Sequence, residues 1–228
     1  MKLPKPIHPW NVSPREAVAI QRRLADSVAV APLSKDPRLV AGVDCAVSPR
    51  RGRCYCTVVI WDSVEARILE VRNASRPLEF PYLPGLLSFR EIPVILDALA
   101  LLETTPDLIV CDGQGFAHPR RFGLACHLGV VVSIPCCGCA KSRLVGTYEQ
   151  PAPERGSSSP LFDRGELIGR VVRTRDGVKP VFVSVGHLVD LSGSVRAVLS
   201  TGGGYRLPEP TRQADRLVGE FKRSEEGW

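Results

Sequence analysis

Asp112, His118, Arg120 and Arg121 lie within ten residues of one another, and their types suit phosphoryl chemistry on a polyanion. Asp112 follows the apolar run Leu108–Cys111, which reads as a short buried strand. A carboxylate at such a strand end is fixed in place yet open to solvent on one side, as a metal ligand must be. The glycines of Gly113-Gln114-Gly115 let backbone approach a ligand closely, and the two arginines offer forked donors to phosphate. His118, held between Ala117 and Pro119, has a restrained backbone and a positioned ring suited to proton transfer or phosphate binding.

Other acids join this motif. Asp44 interrupts the apolar stretch Leu39–Val47, where an unpaired carboxylate costs several kcal/mol unless it is protonated or meets a cation. The plainer reading is an edge-strand aspartate facing water. Glu91 lies three residues after Ser88, so it either closes a helix N-terminus as a capping box or serves as a third acid. Asp44, Glu91 and Asp112 together form an oxygen-only set that fits magnesium, with manganese as a substitute. Lys141 follows an apolar extended segment and would otherwise pass as a solvated lysine. Tyr82, flanked by Pro81 and Leu83-Pro84, either packs on the core or forms a rigid wedge for a base stack.

The elements that must position these groups can be read from pattern. Residues 1–12 form an extended arm, and Ser13, Pro14 and Glu16 open a helix to about Val28. Leu39–Val47, Cys54–Trp61 and Ala66–Ser75 read as a three-strand meander. Pro77–Gly85 is a rigid loop, Ser88–Leu102 a helix and Leu108–Cys111 a strand. Arg121–Leu128 reads as a short helix, Val130–Ile134 as a strand and Cys139–Leu144 as an extended segment. Glu149–Ser159 is a surface loop. Val171–Thr174 and Val181–Val185 pair around Asp176-Gly177, Val189–Ser200 is a helix, and a last helix runs from a Thr211 cap to Lys222. The order argues for an α/β or α+β domain with a mixed sheet, and the absence of an evident linker for one domain over residues 1–228.

The formal charge of +6 and pI near 9.0 favour an anionic partner such as nucleic acid. No run of roughly twenty apolar residues is present to span a membrane, and the start lacks a signal-peptide core, so a cytoplasmic protein is expected. Eight cysteines fit that compartment as reduced, structural residues. Cys136 and Cys139 have zinc-like spacing, but no second CxxC or histidine pair answers them.

The segments PYLPGLLSFRE (Pro81–Glu91), DGQGFAHPRRFGLACHLG (Asp112–Gly129), CAKSRL (Cys139–Leu144) and GYRLPEPTRQAD (Gly204–Asp215) resemble endonuclease V, the deoxyinosine-directed nicking nuclease. The resemblance runs from about Ala17 to Leu217 in order. It implies an RNase H-like fold, with a mixed central sheet flanked by helices. It implies magnesium-dependent cleavage at the second phosphodiester bond 3′ to a deaminated purine, leaving 3′-hydroxyl and 5′-phosphate. Asp44 and Asp112 match metal-binding aspartates and Glu91 the catalytic glutamate. His118 and Lys141 match residues near the scissile phosphate, and Asp215 a supporting acid. Pro81, Tyr82, Leu83 and Pro84 match the strand-separating wedge. Gly85, Leu86, Gly113, Gln114 and Gly115 match the lesion-pocket walls, while Arg120 and Arg121 would hold the DNA backbone.

The departures are Leu83 where isoleucine is frequent, Cys126 where serine is common, and the cysteine-rich Cys136–Cys139. The expected substrate is DNA with deaminated bases, bound by a monomer. Inosine-containing RNA or flap and branched DNA would use the same metal chemistry, and a lesion-binding protein without cleavage is the non-enzyme alternative.

Overall fold

In the computed structural model, which describes residues 1–227, the chain runs α1 (Pro14–Ala25), β1 (Leu39–Ser48), β2 (Arg53–Asp62), β3 (Arg67–Pro77), α2 (Leu87–Ala100), β4 (Leu108–Cys111), α3 (Leu124–Val132), β5 (Cys136–Ala140), β6 (Ser158–Asp163), β7 (Glu166–Val172), β8 (Val181–His187), α4 (Leu191–Ser200) and α5 (Glu209–Glu226). One eight-stranded mixed sheet has the order β3-β2-β1-β4-β5-β8-β7-β6. The first three strands form the antiparallel meander, and β1, β4 and β5 run parallel at the centre. Parallel neighbours need crossovers, which α2 and α3 provide.

Alternation along the central strands sorts side chains between two cores. Ala41 and Val43 of β1, Ile109 and Cys111 of β4, and Cys136 of β5 pack with α2 and α3. Val40, Leu108, Val110, Cys137 and Cys139 pack on the other face with Ala197 and Val198 of α4. Cys136 and Cys139 therefore point to opposite faces of the sheet and cannot grip one ion together. All eight cysteines are free thiols, buried except for the partly exposed Cys45. The N-terminal arm lies against the body, where His8 Nε2 sits 2.7 Å from His127 Nε2 and Trp10 stacks on the His127 ring.

Several local expectations need correction. The capping box on α1 is present, with Ser13 and Glu16 bonded reciprocally, but the one expected at Ser88 is absent. Leu86 occupies the cap position of α2, and the Ser88 hydroxyl turns inward to His127 Nδ1 at 2.9 Å. Val130–Ile134 is not a strand: its valines complete α3, which begins after Gly123 and ends at Ser133 in the left-handed region. The β-branched residues imitated a strand, but helix packing against β8 and β5 outweighs their weak propensity. The strand is instead the cysteine run, β5. The final helix starts at Glu209 after Pro208, and Thr211 lies inside it, with its hydroxyl donating back to the Pro208 carbonyl.

The hairpin β6–β7 went unread. Its two-residue turn, Arg164-Gly165, has both φ values positive, the geometry that matches strand twist. Pro160 is tolerated because β6 is the sheet's edge strand. No helix among the described residues is long and apolar enough to cross a membrane.

Candidate active site

Strand register brings the first two acids together. Val43 is paired with Cys111 in the last register pair between β1 and β4, so the next residues emerge side by side, Asp112 just past the end of β4 and Asp44 in mid-strand on β1. Both turn away from the core that holds Val43 and Cys111, toward the face covered by α5. A Cβ built on Gly42 would stand 2.1 Å from the Pro210 carbonyl atoms, so the start of α5 rests directly on the bare backbone of β1. From Thr211 the helix advances about 6 Å in four residues, close to the rise of two strand residues. Asp215 thereby arrives over Asp44. One carboxylate oxygen from each of Asp44, Asp112 and Asp215 lies within 4.8 Å of the others.

Lys141 follows β5 directly. Its ammonium is 2.6 Å from Asp112 Oδ2 and 3.3 Å from Asp215 Oδ1. Burial pulls the lysine pKa down, but the bond to Asp112 and the surrounding carboxylates raise it overall. Burial pushes the Asp44 carboxyl up to about 8; Asp112 adds to the rise, Lys141 opposes it and Asp215 contributes further. Three acids facing one lysine leave negative charge in excess, and the donor set is all oxygen. That arrangement fits a hard divalent cation.

Glu91 does not join the converging trio; Asp215 takes the place expected for it. It belongs to α2, on the opposite face of the sheet from α5. There burial, then Cys54 and Asp44, hold its carboxyl well above the usual range. Glu91 thus feels the Asp44 charge from across β1 without sharing its chelating group.

The basic half of the central motif is turned inward. His118 is 3% exposed, with Nε2 3.1 Å from the Gly85 carbonyl and Nδ1 accepting from the Arg120 amide. Since a carbonyl only accepts, Nε2 carries the proton and the ring is neutral. Burial, then the Arg120 and Arg121 charges, pull its pKa down to about 4, even though the Gly85 bond opposes them. Arg120 donates to the same carbonyl at 2.6 Å. Arg121 is committed to Asp163 at 2.8 Å and Glu166 at 2.7 Å. All three Arg121 guanidinium nitrogens are bonded to protein oxygens, and Arg120 spends Nε and one terminal nitrogen on Gln21 and Gly85, so neither presents the open fork expected from sequence.

Beside the acids lies a cleft of about 380 Å³ whose walls include Tyr82, Gly85, Gly113, Gln114, Lys141 and Leu144. Two expected wall residues are elsewhere. Leu86 packs with Phe80 and Phe89, and Gly115 is pressed against the Val185 carbonyl. Pro81, Tyr82 and Pro84 are exposed at the rim and Leu83 is half-buried, with Tyr82 68% exposed and Arg90 near its ring.

Gln21 borders the same cleft and was missed from sequence. The available signal was a polar residue on the apolar stripe of α1, beside Ala17, Ile20 and Leu24.

The endonuclease V family profile matches residues 22–216. The chain belongs to the endonuclease V family. An endonuclease V from a Nostoc species is 48% identical over 212 residues, covering 92% of this chain and 96% of the relative. The crystal structure of endonuclease V from Streptomyces avermitilis is 43% identical, covers 95% of this chain and 96% of its own, and has a TM-score of 0.91. A Ciona intestinalis endonuclease V, solved with a 24mer DNA containing an inosine followed by a ribo-adenosine, is 26% identical with a TM-score of 0.81. Its coverage is 92% of this chain and 98% of that one. The fold of this endonuclease V family member is therefore the RNase H-like one, a mixed central sheet flanked by helices.

Proposed function

We propose that the protein nicks DNA at the second phosphodiester bond 3′ to deoxyinosine, as a cytoplasmic, monomeric enzyme formed by a single domain. The observation that carries this reading is the convergence of Asp44, Asp112 and Asp215 beside a cleft with an exposed tyrosine at its rim. A pure lesion-binding protein has no need of three acids that repel one another. Asp44, Asp112 and Asp215 would hold the metal, with Glu91 as an outer acid. Bound there, magnesium or manganese supplies charge neutralisation for the phosphate. Lys141, anchored by Asp112, presents its ammonium to the same phosphate oxygens. The products are a 3′-hydroxyl and a 5′-phosphate.

The extruded base would enter the cleft, where the Gly113 backbone brings amides and carbonyls close without side-chain bulk. Tyr82 would fill the gap left in the stack. Its 68% exposure supports this role over core packing. Tyr82→Ala should leave the melting temperature almost unchanged while weakening discrimination between inosine-containing and ordinary duplex. The loss should be smaller on single-stranded inosine substrate, where less stacking must be broken. A sharply lowered melting temperature with intact lesion preference would reject the wedge.

The pH profile follows from Asp44. Below about 8 it retains its proton, and a protonated carboxyl is a poor metal ligand. Cleavage at low magnesium should therefore rise with pH toward that value, and more magnesium should move the rise to lower pH. His118, with its pKa near 4, should add no limb near neutrality. A rate that is flat from about pH 6 to 9 at every magnesium level would rule out this assignment of Asp44.

A second reading is favoured by the ribo-adenosine beside the inosine in the Ciona intestinalis complex: the substrate strand is inosine-containing RNA. Cleavage of matched inosine DNA, inosine RNA and undamaged duplex, with magnesium and with EDTA, separates the two.

A further inference from the structure

The Gly85 carbonyl receives three donors from two segments, α1 and the His118–Arg120 loop. Gln21 Nε2 lies 3.0 Å away, His118 Nε2 3.1 Å and an Arg120 terminal nitrogen 2.6 Å. Gly85 itself has φ +78, the left-handed region that only glycine enters freely, and it closes the Pro81–Pro84 segment. Such a residue is a natural pivot.

Gln21 links the donors. Its side chain is buried, and its second Nε2 hydrogen goes to the Phe122 carbonyl at 3.1 Å. Both partners are acceptors, so the amide orientation is determined. The remaining Oε1 accepts from Arg120 Nε at 2.6 Å, holding the guanidinium aimed at Gly85. Phe122 precedes Gly123, whose amide bonds the Gly115 carbonyl, while the Ala125 amide bonds that of Gln114. One carboxamide on α1 thus joins the loop bearing Tyr82 to the glycine loop on the other side of the cleft.

We propose that Gln21 is a positioning residue for lesion opening: with His118 and Arg120 it pins the Gly85 carbonyl, so that the Tyr82 tip is driven into the base stack instead of folding back. This inference rests on the wedge reading of Tyr82. Parting a stack costs a few kcal/mol, and a tip hinged on an unrestrained glycine would yield before the bases did. The role also accounts for what His118 and Arg120 do in this structure, where both His118 ring nitrogens and two of the three Arg120 guanidinium nitrogens are bonded to protein.

The test replaces Gln21 with methionine, which keeps the volume and removes all three hydrogen bonds. The readout is the ratio of kcat/KM on inosine duplex to kcat/KM on the same inosine strand unpaired. Gln21→Met should lower that ratio at least about fivefold, mostly through KM. If Gln21 acts through the wedge, the double variant with Tyr82→Ala should have a ratio no lower than Tyr82→Ala alone. A 2-aminopurine placed beside the inosine should brighten less with Gln21→Met than with wild type in EDTA. Equal loss on both substrates, or ratios that multiply in the double variant, would overturn the proposal and leave Gln21 a packing residue. If Gln21→Met does not fold, Arg120→Met removes one donor to Gly85 and is judged by the same ratio. Wild-type protein that cuts undamaged duplex as fast as inosine duplex would sink the proposed function itself, a result independent of Gln21.

Discussion

Asp112→Ala is expected to give a folded protein that binds inosine-containing duplex but cuts it at least about a hundredfold more slowly, a barrier increase of roughly 2.7 kcal/mol. Asp112 contributes one of the three converging oxygens and anchors Lys141 at 2.6 Å. Its loss removes a metal ligand and frees the lysine at once. Folding should survive, because taking away Asp112 removes one of the carboxylates that disfavour the Asp44 charge, and Lys141 still has Asp215 at 3.3 Å. The checks are single-turnover cleavage in magnesium, duplex affinity in EDTA and thermal melting. Near wild-type cleavage would show the metal assignment to be wrong, whereas an unfolded variant would make Asp112 a structural residue.

Asp44 and Asp112 were legible in sequence because each is a charge at an apolar strand, a combination that burial makes costly without a partner. Their adjacency was not legible, since it depends on a parallel register between strands separated in sequence by two further strands and a helix. Asp215 was harder still. It lies on an exposed stretch of an amphipathic helix and looks solvated; only the contact of Pro210 with Gly42 brings it to Asp44. Glu91 was grouped with the strand acids by residue type, but it approaches from the other face of the sheet, and nothing local in the sequence records which face a helix covers.

The meander was readable from alternation and turn residues, whereas β5 and the β6–β7 hairpin were not. Cys136–Ala140 has little intrinsic strand preference and extends because β4 and β8 pair with it on both sides. His118 and Arg120 were visible as polar loop residues, but their partner, the Gly85 carbonyl, belongs to a segment more than thirty positions earlier. Backbone carbonyls carry no sequence signature. Side-chain chemistry can therefore suggest a phosphate site where the folded chain has built an internal clamp.

Gly42→Ala should damage the active site without altering any group that does chemistry. The added methyl would stand 2.1 Å from the Pro210 carbonyl carbon and oxygen and 2.5 Å from the Thr211 nitrogen. These are backbone atoms, so no rotamer change relieves the contact, and the start of α5 must retreat by roughly 1 Å. Overpacking of this kind costs about 1–3 kcal/mol, or a melting temperature lower by some 2–12 °C for a protein of this size. The retreat carries Asp215 away from Asp44, and a displacement of about 1 Å in a reacting constellation can cost a hundredfold in rate. Cleavage should therefore fall by one to two powers of ten at a temperature where the variant is still fully folded. If the loss acts through Asp215, adding Gly42→Ala to Asp215→Ala should reduce cleavage little further, since the position being disturbed no longer holds a carboxylate. Full activity with an unchanged melting temperature would show that α5 does not rest on β1 at Gly42, and fully multiplicative losses would show that the helix matters to catalysis through something other than Asp215.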